Sequence, residues 1–202
     1  MGALLVREGD EGRRTGRIVE VEAYAGPEDR ASHARFGPAS HAATMFGAPG
    51  RAYVYGVYGM HACLNVVAGP VGLGAAILLR AVEPLEGVAS MRAARLASAV
   101  AHRRAAAADP AAEGARIARL PAGRLAAGPA NLAAAFGVER GDDGLDLLDP
   151  AGVLRLEPGE RDGPQREIAA TARVGVAYAG PGWADRPWRF VVSGIPARGP
   201  RA

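Results

Sequence analysis

Apolar and polar positions alternate with a period of two through much of the first eighty residues. In RIVEVEAY (17–24), Val19, Val21 and Ala23 fall on one face of an extended chain, and Ile18, Glu20, Glu22 and Tyr24 on the other. The first face belongs in a core; the second, with two acids and an aromatic, must meet water or a polar cavity. ALLVRE (3–8) reads as the strand before it, joined by a polar turn. RAYVYGVYGMHACLNVV (51–67) reads as two strands about a tight turn at 55–59, where Gly56 and Gly59 permit the bend and Val57 and Tyr58 are pushed to the tip. GAAILLRAVEPLEG (74–87) is a buried strand on which Ala76, Leu78, Arg80 and Val82 share a face, so Arg80 requires a partner.

Beyond it the period changes. Residues 86–137 form an Ala-rich helical segment, cut into two to four helices by Pro110, Pro121 and the Gly128-Pro129 pair, which is itself a helix-start signal. Residues 145–195 return to short strands and turns. Strands, then helices, then strands predict an α+β fold rather than strict βαβ alternation, and the length predicts a single domain, 1–202.

Composition narrows the classes. No apolar run reaches the 18 residues of a membrane span, the first residues do not read as a signal peptide, and one cysteine, Cys63, allows no internal disulfide. A soluble, cytoplasmic protein is expected. A net charge of +3 and a pI of about 9.5 lean toward a polyanionic partner. All 24 basic residues are arginine, a side chain suited to bidentate phosphate contacts.

The chemistry on offer is an acid pair, Glu20 and Glu22, an arginine, Arg80, and aromatic residues on the same β elements: Tyr24, His33, Tyr55 and Tyr58. An acid with an arginine can hold and polarise a water, and aromatic walls can hold a flat ligand. The bland reading of the same residues is a salt bridge with aromatic core filling. His33, His41, His61 and His102 lack metal-site spacing, so no metal is expected, and no nucleotide-cofactor loop is present.

GRIVEVEAYAGPEDRASHARFG (16–37), MFGAPGRAYVYGVYGMHACLNVV (45–67) and LLRAVEPLEG (78–87), continued by LAAGPANLAAAFGV and ARVGVAYAG…RPWRFVVSG, closely resemble the alkyladenine (3-methyladenine) DNA glycosylase family over nearly the whole chain. The resemblance implies a curved, mostly antiparallel β-sheet with a protruding β-hairpin and surrounding helices. It implies a monofunctional enzyme acting on damaged double-stranded DNA, without a cofactor; a monomer is expected, since such an enzyme must wrap one lesion. Residue by residue, it implies Glu22 as the acid that activates water, Arg80 as the side chain that helps hold it, and the Val174 carbonyl as a third ligand of that water. Tyr24 and Tyr55 match the walls that stack on an extruded base, and His33 a histidine that borders it. Asn65 matches the residue that clashes with the 2-amino group of guanine. Tyr58 matches the hairpin-tip residue that fills the gap left in the duplex. Glu20 is left as a neighbour of the site or a solvent-facing residue.

Two other readings stay open on the residues alone. A sugar hydrolase could use Glu20 and Glu22 as an acid pair, but neighbours on one strand face approach a substrate from the same side. A non-catalytic nucleic-acid-binding protein could use the same scaffold, but gives no reason to aim an acid and an arginine at one point.

Overall fold

The computed structural model describes residues 1–57, 61–101, 109–159 and 166–194. Among these residues, eight antiparallel strands form one curled sheet with four helices against it, the expected α+β class. The strands are β1 (Leu4–Arg7), β2 (Arg14–Ala25), β3 (Ala52–Val57), β4 (His61–Ala68), β5 (Ala75–Glu86), β6 (Leu154–Glu157), β7 (Ile168–Thr171) and β8 (Arg189–Val192). Their order is β3-β4-β5-β2-β1-β6. Strand β8 joins β2 beyond the end of β1, pairing Glu20 with Val191 and Glu22 with Arg189, and β7 pairs with β8. The two 12-residue strands, β2 and β5, lie side by side along their length and form the spine of the sheet.

The helices are α1 (Val88–Ala101), α2 (Pro110–Ala118), α3 (Ala122–Leu125) and α4 (Pro129–Phe136). Each expected break is present. The Asp109 side chain accepts the Ala111 N–H at 2.9 Å as the cap of α2, and Pro129 opens α4 after Gly128 at φ 95°. The main core lies between sheet and helices: Leu5, Ile18, Val21, Leu64, Leu79 and Val82 meet Met91, Ile117, Leu125, Leu132 and Phe136. On the opposite face, Tyr53, Val67 and Ala76 pack with Ala34, Ala42 and Met45 from the loop that bears the 3-10 turns His33–Phe36 and Ala43–Phe46.

Two expectations from periodicity fail. The bend between β3 and β4 is not at 55–59: pairing runs on through Gly56↔Ala62 to Val57↔His61, so Val57 is a strand residue and not a tip residue. Tyr58, expected at the tip, lies outside the described residues. Strict alternation also breaks in β2 and β5. The register runs Ile18↔Val82, Glu20↔Ala81, Val21↔Leu79, leaving Val19 and then Arg80 without an opposite number. These are β-bulges, one in each strand, and because they offset each other the original register resumes at Val21↔Leu79. Ile18 and Val21 therefore both reach the main core, as do Leu79 and Val82, while Val19 turns to a small cluster with Ala81 and Val192.

Candidate active site

The paired bulges deliver the charged side chains. Arg80, the extra residue of β5, lies between the two acids of β2, with Nε donating to Glu20 Oε1 at 2.7 Å and Nη1 at 3.2 Å from Glu22 Oε1. Arg189 Nε donates to the same Glu20 oxygen at 2.7 Å. Glu20 and Glu22 are 1% and 0% exposed, so Glu20 does not face solvent, as alternation allowed; it is a buried partner of two guanidinium groups. Burial by itself works to lower the pKa of Arg80, but Glu22 and Glu20 outweigh it and raise the pKa, so Arg80 keeps its charge.

Glu22 accepts two further bonds. The Val174 N–H donates to Oε1 at 2.8 Å and the Tyr24 hydroxyl to Oε2 at 2.9 Å. Burial, then the Glu22 charge, pushes the Tyr24 pKa far up, so the hydroxyl keeps its proton and donates. A carboxylate has about four acceptor positions, which leaves room for water on Glu22.

Glu22 and Arg80 line a cavity of about 310 Å³, the low end of small-molecule sites. Tyr24, His33, Tyr55, Asn65 and Val174 line the same cavity, so every residue to which the resemblance gives a part in the site, except the undescribed Tyr58, lies around one space. His33 and Tyr55 meet edge to face with ring centroids 4.5 Å apart, and Tyr53 stands 5.6 Å from Tyr55. Asn65 is held by donating Nδ2 to the Tyr53 carbonyl at 3.0 Å. Cys63, opposite Tyr55 in the β3–β4 ladder, also borders the cavity; burial pushes its pKa up to about 11, so it stays a thiol and is no nucleophile at neutral pH. A larger hollow of about 720 Å³ lies among Arg7–Gly12, α1 and α4, but its lining lacks a buried acid–arginine pair, and the smaller cavity is the better site.

The loops beside the cavity are fixed by a group that sequence reasoning missed. Arg173, its side chain 0% exposed, grips Asp29 bidentately at 2.5 and 2.9 Å and donates to the carbonyls of Ala23 at 2.9 Å and Trp183 at 3.2 Å. Asp29 also accepts the Ala31 N–H at 3.0 Å. Behind Tyr24 the aromatic and cationic groups alternate: Arg173 lies 4.8 Å from the Tyr24 ring and 5.1 Å from Trp188, and Arg186 lies 4.6 Å from Trp188 and 3.8 Å from Trp183. Because Arg173 adjoins Val174, this clamp also aims the N–H that touches Glu22. An arginine next to Val174, and an acid in PED just past Tyr24, were the available signals.

His33 shares a hydrogen bond with the Tyr53 hydroxyl through Nδ1 at 2.9 Å, and His41 stands edge-on 5.2 Å away. Burial first, then His41 and Arg35, lowers its pKa. A histidine whose pKa is lowered by folding is favoured neutral, so the unfolded chain binds more protons near its ordinary pKa. The stability this contributes is fully present above the unfolded value of 6.5 and is lost as pH falls through the lower folded value. Thermal melting should therefore drop as pH falls below about 6.5, and His33→Gln should flatten that part of the curve. An unchanged slope in His33→Gln would exclude His33 as the titrating group.

Among the described residues, no helix is long and apolar enough to cross a membrane, and no group of three His, Cys, Asp or Glu side chains could hold a metal.

A family model for methylpurine-DNA glycosylase (MPG) matches residues 1–196. A protein of Anaeromyxobacter dehalogenans (strain 2CP-C) named "Putative 3-methyladenine DNA glycosylase" is 41% identical over 195 residues, covering 96% of this chain and 75% of the relative. Proteins with the same name are 43% identical in Leifsonia xyli subsp. xyli, over 99% of this chain and 84% of the relative, and 42% identical in Rubrobacter xylanophilus, over 96% and 85%. By a match that takes in the strands, the helices and the lining of the cavity alike, the chain belongs to the methylpurine-DNA glycosylase family of hydrolytic DNA glycosylases.

Proposed function

We propose that this chain is a monofunctional DNA glycosylase that takes an alkylated or deaminated purine out of duplex DNA and hydrolyses its N-glycosidic bond with a water activated by Glu22. The observation that carries the reading is the convergence of Tyr24, Val174 and Arg80 on one fully buried carboxylate beside an aromatic cavity. Glu22 takes the proton of a water as its oxygen bonds to the sugar C1′. The bond from C1′ to the purine nitrogen breaks, its electron pair leaves with the base, and an abasic sugar remains. Arg80 and the carbonyl of Val174 hold that water.

A stacked base cannot be reached, so it is rotated out, at a cost of a few kcal/mol that is smallest for damaged or mispaired bases. Tyr24 and Tyr55 stack on the base, His33 borders it, Asn65 excludes the 2-amino group of guanine, and Tyr58 fills the vacated step. An alkylated purine is electron-poor, which favours stacking on tyrosine and departure. The chain has no lysine, so no lysine Schiff base forms and strand cutting is not part of the chemistry. The reading takes the protein as a monomer acting on cytoplasmic DNA, with no cofactor.

The test is incubation with duplexes containing hypoxanthine or ethenoadenine, followed by hot alkali. Strand breaks should appear only after alkali. Breaks before alkali would refute the monofunctional assignment. Retardation of the duplex with no base released would favour the runner-up, a nucleic-acid-binding protein without catalysis.

A further inference from the structure

Glu20 and Arg189 do not line the cavity, yet they touch the group that does. We propose that Glu20, held by Arg189, is a positioning residue: it anchors Arg80 through Nε so that the other edge of the guanidinium stays turned to Glu22 and the cavity. The proposal rests on Glu22 acting as the base.

A planar guanidinium beside a carboxylate prefers two parallel hydrogen bonds. With Glu22 as sole partner, Arg80 would take that geometry, cover the acceptor positions a water needs, and turn both donors away from that water. The structure shows a divided arrangement instead. The short bond, 2.7 Å, goes from Nε to Glu20, and the contact to Glu22 is 3.2 Å through Nη1 alone. Glu20 is aimed by one oxygen. Its Oε1 receives both Arg80 and Arg189 at 2.7 Å, while Oε2 is buried with no hydrogen-bond partner among the described residues. A carboxylate 1% exposed and half unsatisfied is costly to keep, which is expected where orientation rather than stability is served. The bulges at Val19 and Arg80 serve the same geometry, since without them Arg80 would not stand between two residues of β2.

The experiment measures single-turnover release of hypoxanthine from duplex DNA, alongside Kd for a duplex bearing an abasic-site analogue and the melting temperature. Glu20→Leu should slow release about 10- to 100-fold with Kd within about twofold, and Glu20→Gln, which keeps the acceptor for Nε, should stay within about threefold of wild type. In a Glu22→Gln background, Glu20→Leu should add no further slowing, whereas a purely structural role would add in both backgrounds. Wild-type release by Glu20→Leu, or equal impairment in Glu20→Gln and Glu20→Leu, overturns the proposal. If Glu20→Leu melts below the assay temperature, Arg189→Met decides: slowed release at unchanged Kd supports the proposal, and wild-type release overturns it. Failure of the underlying reading looks different, because then wild type releases no base or Glu22→Gln releases it normally.

Discussion

Glu22→Gln retains binding to lesion-bearing duplex but loses base release by about 100- to 10,000-fold, the usual worth of general-base help. The amide keeps the length and shape of the side chain, and its oxygen can still accept from Val174 and Arg80 as Glu22 Oε1 does. The tyrosine hydroxyl on the other oxygen can turn to accept from the new amide, so the fold has little reason to collapse. What disappears is the capacity to take a proton from water. Single-turnover release with hypoxanthine DNA, with Kd measured in parallel, separates the two effects. Near-wild-type release would sink the assignment of Glu22.

The largest stability effect is expected at Arg173→Met. Removing one partner of a buried pair leaves the other charged, and such losses run to about 3–5 kcal/mol. For a chain of this length that is a fall in melting temperature of roughly 6–20 °C. In the intact pair Asp29 stays ionised. Burial would raise its pKa, but Arg173 and the N–H groups of Ala31 and Ala25 outweigh that and hold it below the ordinary value. The stability of the pair is thus present above the unfolded value of 3.8 and is lost as pH falls through the still lower folded value, well below the window of His33. Removing Asp29 as well should recover only part of the loss, since the N–H groups it accepts from are then orphaned. A fall of less than about 2 °C in Arg173→Met would show that the loops beside the cavity are held by other contacts.

Short-range patterns carried much of this architecture. Pro110 marked a helix break and the Gly128-Pro129 pair a helix start, because proline fits the first helical turn and poorly any later one. The order of periods along the chain was enough for the α+β class. What alternation could not reveal was the pair of bulges. A bulge is a property of two strands aligned, and Val19 and Arg80 lie 61 residues apart, so no window on one strand contains it. That is why a solvent-facing Glu20 stayed open beside a place next to the site, and why Val82 was placed with Arg80 instead of with Leu79. The pairing of Asp29 with Arg173 was hidden for the same reason, the two lying 144 positions apart. The cavity residues were legible as types, acids beside an arginine and tyrosines, but the separate parts of Glu20 and Glu22 came from resemblance, and the buried place of Glu20 only from the fold.

The alternating stack behind Tyr24 also has an optical consequence. Trp183 and Trp188 are the only tryptophans in the chain, and both belong to that stack, 6.2 Å apart and each against a guanidinium group. The entire tryptophan emission therefore originates within the clamp that aims Val174 at Glu22. Its wavelength and quenching report the seating of that clamp in unlabelled protein, with no dye or engineered probe.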